Sequence, residues 1–138
     1  FNEGALLHNV RVRYFKDEIY TGIGGPILIS MNPFMNLPSL YAEQKRKFYR
    51  DASAAAGSGQ GFEVPPHLFS VGAASYTAML GDAKNQSIII SGESGAGKTE
   101  ATKRILAYFA SLQQSNTSET KATGMNIEDQ VLRSNPIL

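Results

Sequence analysis

The sequence lacks cysteine altogether, and neither sign of charge predominates in it. Without cysteine, a disulfide framework and a thiolate metal site are excluded, and the composition fits a reducing compartment. Because 13 Lys and Arg residues stand against 12 Asp and Glu residues, no overall field would draw the chain to nucleic acid or to an anionic membrane. No apolar run approaches the roughly 20 residues of a membrane span. We therefore expect a cytoplasmic protein with no membrane span and no nucleic-acid partner.

The length and composition suit one modest globular domain, since 42% of the 138 residues are hydrophobic. The missing initiator Met and the apolar end, Ile137-Leu138, indicate a fragment of a longer protein. We divide this partial domain, residues 1–138, into a first part at 1–51, a flexible insertion at 52–64 and a second part at 65–138.

The first part begins with a helix signal, because Asn2 is a plausible N-cap and Leu6, Val10 and Tyr14 recur every four residues. Two β-rich runs at 19–21 and 27–31 are separated by glycines and predict a hairpin-like pair of strands. A polar helix is predicted at 39–51. The small residues of 52–61 then indicate a linker on the surface.

The second part predicts a strand between two helices. Pro65-Pro66 favours a helix start, and apolar residues continue that helix to Gly81. Residues 87–91 are centred on three isoleucines, which is typical of a strand buried on both faces of a parallel sheet. A helix at 97–112, a mobile polar loop at 113–124 and a short helix at 127–133 complete the prediction.

The segment that follows the predicted strand matches the phosphate-binding pattern G-x-x-x-x-G-K-[ST]. Its glycines would let successive N–H groups curl around a phosphate, and the start of the next helix would add its dipole. We assign Lys98 to the phosphates as the catalytic cation and Thr99 to Mg²⁺. Carboxylates beside a phosphate repel it unless they turn away or act through metal-bound water, and Glu100 is a better candidate for such a metal-side role than Glu93. The residues of the candidate phosphate site are Gly92, Glu93, Ser94, Gly95, Ala96, Gly97, Lys98, Thr99 and Glu100.

The amino-acid sequence of this loop resembles the corresponding loop of one protein family in particular. Residues 86–100 are similar to the myosin form of the phosphate loop almost letter for letter, and Thr102 and Lys103 continue the likeness. Further stretches resemble myosin in the same order along the chain: 7–21, Asn32-Pro33-Phe34 with Leu37-Pro38 and Tyr41, 65–80 and 127–138. The chain is therefore identified as a member of the myosin motor family.

This resemblance implies an α/β fold, a P-loop NTPase-type mixed sheet flanked by helices that is incomplete in this chain. It implies ATP and Mg²⁺ as cofactors, ADP as product, and contacts of Asn32, Pro33 and Tyr41 with the purine. It also implies an actin-activated Mg-ATPase in the full protein, which moves along actin filaments and belongs to the actin cytoskeleton as part of a myosin complex. Actin and light chains would bind regions outside this chain, and the fragment alone would be inactive.

Three alternatives remain beside this interpretation. Asn32-Pro33 alone would be only a turn that ends a strand. The full protein could be a nucleotide-binding actin tether that has lost hydrolysis, since the residues that position water lie elsewhere. A small-molecule or nucleotide kinase would need an Arg-rich lid after the loop, whereas 113–124 contains only Lys121. The basic run at 45–50 is expected to be a solvated helix face, and His8 and His67 are expected to be structural.

Overall fold

The computed structural model describes residues 2–56 and 64–116. Most of the mobile loop expected at 113–124, the short helix at 127–133 and much of the expected insertion lie outside the described residues. The first four residues of the expected loop, 113–116, are instead the end of the last described helix, so that part of the prediction is wrong. Helices dominate the described part, and two short strands pair beside them. The elements in chain order are α1 (Glu3–Tyr14), β1 (Tyr20–Gly22), β2 (Leu28–Ser30), a 3₁₀ helix (Pro38–Tyr41), α2 (Glu43–Ala56), α3 (Leu68–Asp82) and α4 (Lys98–Asn116).

Helix α1 begins where the sequence predicts it. The Asn2 side chain accepts a hydrogen bond from the Gly4 N–H at 2.8 Å, which satisfies one of the unpaired donors of the first turn. The expected inner face is confirmed, since Val10 is buried and Leu6 and Tyr14 are half-buried. At the other end, the Arg13 guanidinium donates to the Tyr20 carbonyl at 2.9 Å and fixes α1 against β1.

The predicted hairpin is also confirmed. Strands β1 and β2 pair antiparallel, with Tyr20 opposite Ser30 and Thr21 opposite Ile29. Gly24 and Gly25, both at positive φ, let the chain reverse between the strands. These two strands are the whole sheet within the described residues, so the predicted mixed sheet is present only as this hairpin.

The strand predicted at 87–91 forms no ladder in the described part of the chain, where residues 83–93 have no regular secondary structure. Burial on both faces is also wrong, because Ile89 is 90% exposed. The side chains of Ile88 and Ile90 instead pack against the cluster around Ile105, so this segment contacts the core through one face. A strand depends on a neighbouring strand for its backbone hydrogen bonds, and the described residues place none beside this extended segment.

Helix α2 runs further than predicted. Residues 52–56 continue it to Ala56, so the linker predicted to begin at Ala52 is wrong for these residues. Alanine has the highest helix propensity, and small side chains also let two helices approach closely. Here the Ser53 hydroxyl lies 2.5 Å from that of Thr77 and donates to the Ala73 carbonyl at 3.3 Å, so this end of α2 is packed on α3.

Aromatic side chains form the centre of the three-helix packing. Tyr49 of α2, Phe69 of α3 and Tyr108 of α4 are each at most 2% exposed, and the Phe69 and Tyr108 rings stack with centroids 4.9 Å apart. Gly72 makes room for this pair, because a Cβ there would lie 3.0 Å from Tyr108 Cδ1. A second cluster, built around Ile19, Tyr20, Leu68 and Ile105, joins the hairpin to α3 and α4.

The structural role predicted for His67 is confirmed at the start of α3. Its Nδ1 accepts from the Phe69 N–H at 2.9 Å, and its Nε2 lies 2.9 Å from the Leu40 carbonyl. Because a backbone N–H can only donate and a carbonyl can only accept, the ring is neutral and carries its proton on Nε2. Burial lowers the pKa of His67 to about 4, which keeps this cap intact at neutral pH.

Candidate functional site

Residues 92–97 form an exposed loop that turns directly into α4, the arrangement that the sequence pattern predicts. Gly95 and Gly97 have φ values of 80° and 95°. Side chains are disfavoured in this region of φ, so glycine is needed at both positions for the chain to turn back on itself. The loop is therefore held in a compact curve immediately before the first turn of the helix.

The start of α4 presents donors to this curve. Its first hydrogen bond of helical spacing joins the Ala101 N–H to the Gly97 carbonyl at 2.9 Å, so the N–H groups of 98–100 have no carbonyl partner within the helix. These groups and the positive end of the helix dipole favour an anion. The geometry of an anion-binding loop is thus present in the chain's own backbone.

The Lys98 ammonium group lies over the loop. Its Nζ donates to the Gly92 carbonyl at 2.7 Å and to the Glu93 carbonyl at 2.8 Å. An ammonium group has three donors, so one donor remains for an incoming oxyanion even while both carbonyls are held. The structure therefore brings the predicted cation to the loop that it is predicted to serve.

Asn32 also reaches this loop, from a position 63 residues earlier in the sequence. Its Nδ2 donates to the Gly95 carbonyl at 2.8 Å, while its Oδ1 accepts from the Phe34 N–H at 2.9 Å. The second bond forms the strand-ending turn that was one interpretation of Asn32-Pro33. Pro33 is half-buried in the same turn, and both residues lie where β2 ends.

Tyr41, the third residue expected near a purine, is engaged elsewhere. Its hydroxyl lies 2.7 Å from the Tyr20 hydroxyl. Its ring lies 4.2 Å from the Arg104 guanidinium carbon, within the range of a cation–π interaction. Burial, followed by the Tyr41 hydrogen bond, raises the pKa of Tyr20 far above its ordinary range, so the Tyr20 hydroxyl is neutral. The described contacts of Tyr41 are with the hairpin, α3 and α4.

Glu100 faces Arg104 one turn along α4. Its Oε1 accepts from Arg104 Nε and Nη2, each at 2.8 Å, and Arg104 in turn lies over the Tyr41 ring. Arg104 was not among the predicted site residues, although its i,i+4 spacing from Glu100 is the signal for such a pair. The Glu93 side chain is exposed, and its carbonyl is the group that contacts Lys98.

A groove of about 530 Å³ runs beside the loop, between β2, α3, the 87–91 segment and the start of α4. Gly97 and Lys98 are among the residues that line this groove. Within the described residues no group of three or more His, Asp or Glu side chains could hold a metal ion. A divalent ion that binds mainly through phosphate oxygens and water needs no such group, and the exposed hydroxyl-bearing residue Thr99 fits that requirement.

No helix in the described ranges is long and apolar enough to cross a membrane.

Comparison with known proteins gives matches along the whole chain. The sequence matches the profile of the family "Myosin head (motor domain)" over residues 1–138. Unconventional myosin-VI from Sus scrofa is 40% identical over 137 residues, which cover 99% of this chain and 10% of that protein. Myosin-5 from Arabidopsis thaliana is 42% identical over 137 residues, which cover 99% of this chain and 8% of that protein. The chain therefore spans a tenth or less of the length of these relatives.

Proposed function

Because this chain belongs to the myosin head (motor domain) family, we propose that it is the phosphate-binding part of a cytoskeletal motor that hydrolyses Mg-ATP and moves along actin filaments. The observation that carries this proposal is the loop at 92–97, which curves at two glycines and ends under the Lys98 ammonium group. A P-loop NTPase-type mixed sheet would complete the fold in the full protein, and this chain would supply β1 and β2 to it.

Lys98 is the proposed catalytic cation. Phosphoryl transfer depends on positioning and on stabilising negative charge at the phosphoryl oxygens. The ammonium group already lies at the loop, held by two of its carbonyls, so it needs little reorganisation to meet a β- or γ-phosphate. The N–H groups at the start of α4 would bind the same oxygens.

Thr99 is the proposed metal-side residue. Its hydroxyl would contact Mg²⁺, which supplies positive charge to the phosphate oxygens when it is bound. Glu100 is a weaker candidate for this role, because its carboxylate is paired with Arg104. That pairing neutralises a negative charge beside the position where a triphosphate would lie.

Actin filaments, light chains and a place in the actin cytoskeleton are proposed for the full protein on the strength of the family. The water-positioning groups and the Asp of the magnesium shell would also come from its other regions. The alternative function is a nucleotide-binding actin tether that has lost hydrolysis. The loop supports nucleotide binding in either case, so only turnover separates the two.

The test is a Lys98→Ala substitution in the full motor protein. Removal of a charged donor from a phosphate is worth ~2–3 kcal/mol, so ADP affinity should fall by about a hundredfold and actin-activated phosphate release should be lost. Lys103→Ala removes the same charge from the same helix and serves as the matched control. Its ADP affinity and its actin-activated phosphate release should stay near those of the parent protein. Unchanged ADP affinity in Lys98→Ala would refute the assignment. A parent protein that binds nucleotide but releases no phosphate with actin would favour the tether.

A further inference from the structure

We propose that Asn32 is a positioning residue of the phosphate loop and not a contact of the nucleotide base. In this view its amide group holds the Gly95 carbonyl and thereby sets the loop in the conformation that receives phosphate. The inference rests on the proposed function, since it assumes that the loop binds a nucleotide. It differs from the role that the family resemblance implies for this residue, which is contact with the purine.

Both ends of the Asn32 amide group are already occupied. Nδ2 donates to the Gly95 carbonyl at 2.8 Å and Oδ1 accepts from the Phe34 N–H at 2.9 Å. The partners fix the orientation of the amide, because a flipped group would set an oxygen against a carbonyl and an NH₂ against an N–H. These bonds leave unused one Nδ2 hydrogen and one Oδ1 lone pair, so a purine could contact the amide only in the orientation that the two bonds fix.

The backbone of Asn32 is itself anchored. Its carbonyl accepts a hydrogen bond from the Tyr14 hydroxyl at 3.2 Å, which ties it to α1. The preceding residue, Met31, donates its N–H to the Ile19 carbonyl at 2.9 Å and continues the hairpin pairing. Asn32 therefore reaches the loop from a fixed base formed by α1, β1 and β2.

The hydrogen bond from Asn32 can fix the orientation of the peptide unit that follows Gly95. Gly95 has a φ of 80°, and a Cβ placed on it would meet no atom within 4 Å, so side-chain packing does not define its place. The Gly95 carbonyl and the Ala96 N–H belong to one planar peptide unit. Asn32 holds the carbonyl end, and the Glu93 carbonyl accepts from the Ala96 N–H at 3.2 Å. This peptide is thus held at both ends, and without Asn32 only the longer bond would resist its rotation.

This role predicts a particular pattern of affinities. Loss of one neutral hydrogen bond that preorganises a binding site should weaken binding by about threefold to tenfold. Because the loop contacts phosphates, the loss should be equal for a purine nucleotide of either kind and for pyrophosphate, which has no base. A base contact would instead change the preference between two bases and leave pyrophosphate binding unaffected.

The test uses the full motor protein and calorimetric titrations with Mg-ADP, Mg-GDP and Mg-pyrophosphate. Asn32→Ser is neutral and its hydroxyl can still accept from the Phe34 N–H, but it is too short to reach Gly95. Asn32→Asp keeps the acceptor at full length and replaces the donor with a carboxylate. Asn36→Ser makes the same exchange at an exposed position of the same segment and is the matched control.

The expected result is an equal rise of about threefold to tenfold in all three dissociation constants for Asn32→Ser, an equal or larger rise for Asn32→Asp, and none for Asn36→Ser. Weakened ADP binding with unchanged pyrophosphate binding would overturn the proposal in favour of a base contact. Unchanged affinities throughout would overturn it in favour of a turn-forming role. If the parent protein bound none of the ligands, or if Lys98→Ala bound them as well as the parent does, the proposed function itself would fail.

Discussion

Mild acid is expected to weaken the start of α3, because that helix end depends on a neutral His67. The ring accepts from the Phe69 N–H through Nδ1, and the Nε2 hydrogen is donated to the Leu40 carbonyl. A second proton on Nδ1 would place two donors face to face inside a cluster where His67 is only 1% exposed. Burial is the main reason that the pKa of His67 is lowered to about 4.

The sign of the effect follows from linkage. An unfolded chain takes up a proton at His67 near its ordinary pKa of 6.5, whereas the folded chain resists protonation until about pH 4. The part of the free energy of unfolding that depends on neutral His67 is therefore fully present above pH 6.5, and it is lost as the pH falls from there towards 4. Between pH 7 and pH 5 this one group should lower the free energy of unfolding by about 2 kcal/mol.

Urea unfolding of the chain at pH 7 and pH 5 measures this difference, and comparison of variants removes the contribution of other titrating groups. Asn is an effective N-cap and does not titrate. The decrease in the free energy of unfolding between pH 7 and pH 5 should therefore be about 2 kcal/mol smaller for His67→Asn than for the parent chain. His8→Asn, at an exposed position of α1, should retain the parent loss. The reasoning would be refuted by equal losses in His67→Asn and the parent, or by an NMR titration in which His67 of the folded chain is protonated near pH 6.5.

Two further substitutions test the site and the core. Thr99→Ala in the full protein should weaken Mg-ADP binding more than metal-free ADP binding, since the hydroxyl acts through the ion; equal losses in titrations with and without Mg²⁺ would leave Thr99 as a helix residue only. Gly72→Ala should destabilise the chain in urea by about 1–3 kcal/mol, because the new methyl group would collide with the stacked Tyr108 ring. Gly81→Ala in the same helix has open space around it and should instead stabilise by about 0.5–1 kcal/mol; a stable Gly72→Ala variant would show that the aromatic pair can shift.

Local signals predicted the local parts of this structure well. The cap at Asn2, the glycine turn of the hairpin and the glycine-rich curve at 92–97 each depend on neighbouring residues in the sequence, and each is present. The strand predicted at 87–91 failed for a different reason. Its three isoleucines favour an extended chain, but a ladder also needs a partner that these residues cannot specify.

Long-range contacts were the other limit. The pattern at Tyr41 carries no information about Arg104, which lies over its ring from α4. Likewise, nothing near Asn32 in the sequence indicates Gly95 as its partner, although both residues were expected at the same site. Such pairings depend on how α1, the hairpin and α4 pack together, and burial of apolar surface decides that packing without leaving a short motif.

The bond between Asn32 and Gly95 has a consequence for the order of events during synthesis. A chain leaves the ribosome from its N-terminus, and domains fold in that direction as they emerge. Asn32 is therefore outside the ribosome well before Gly95 appears, and the hydrogen bonds described for the loop come from residues between 32 and 101. Among the described contacts, none that shapes the loop requires a residue translated after Ala101.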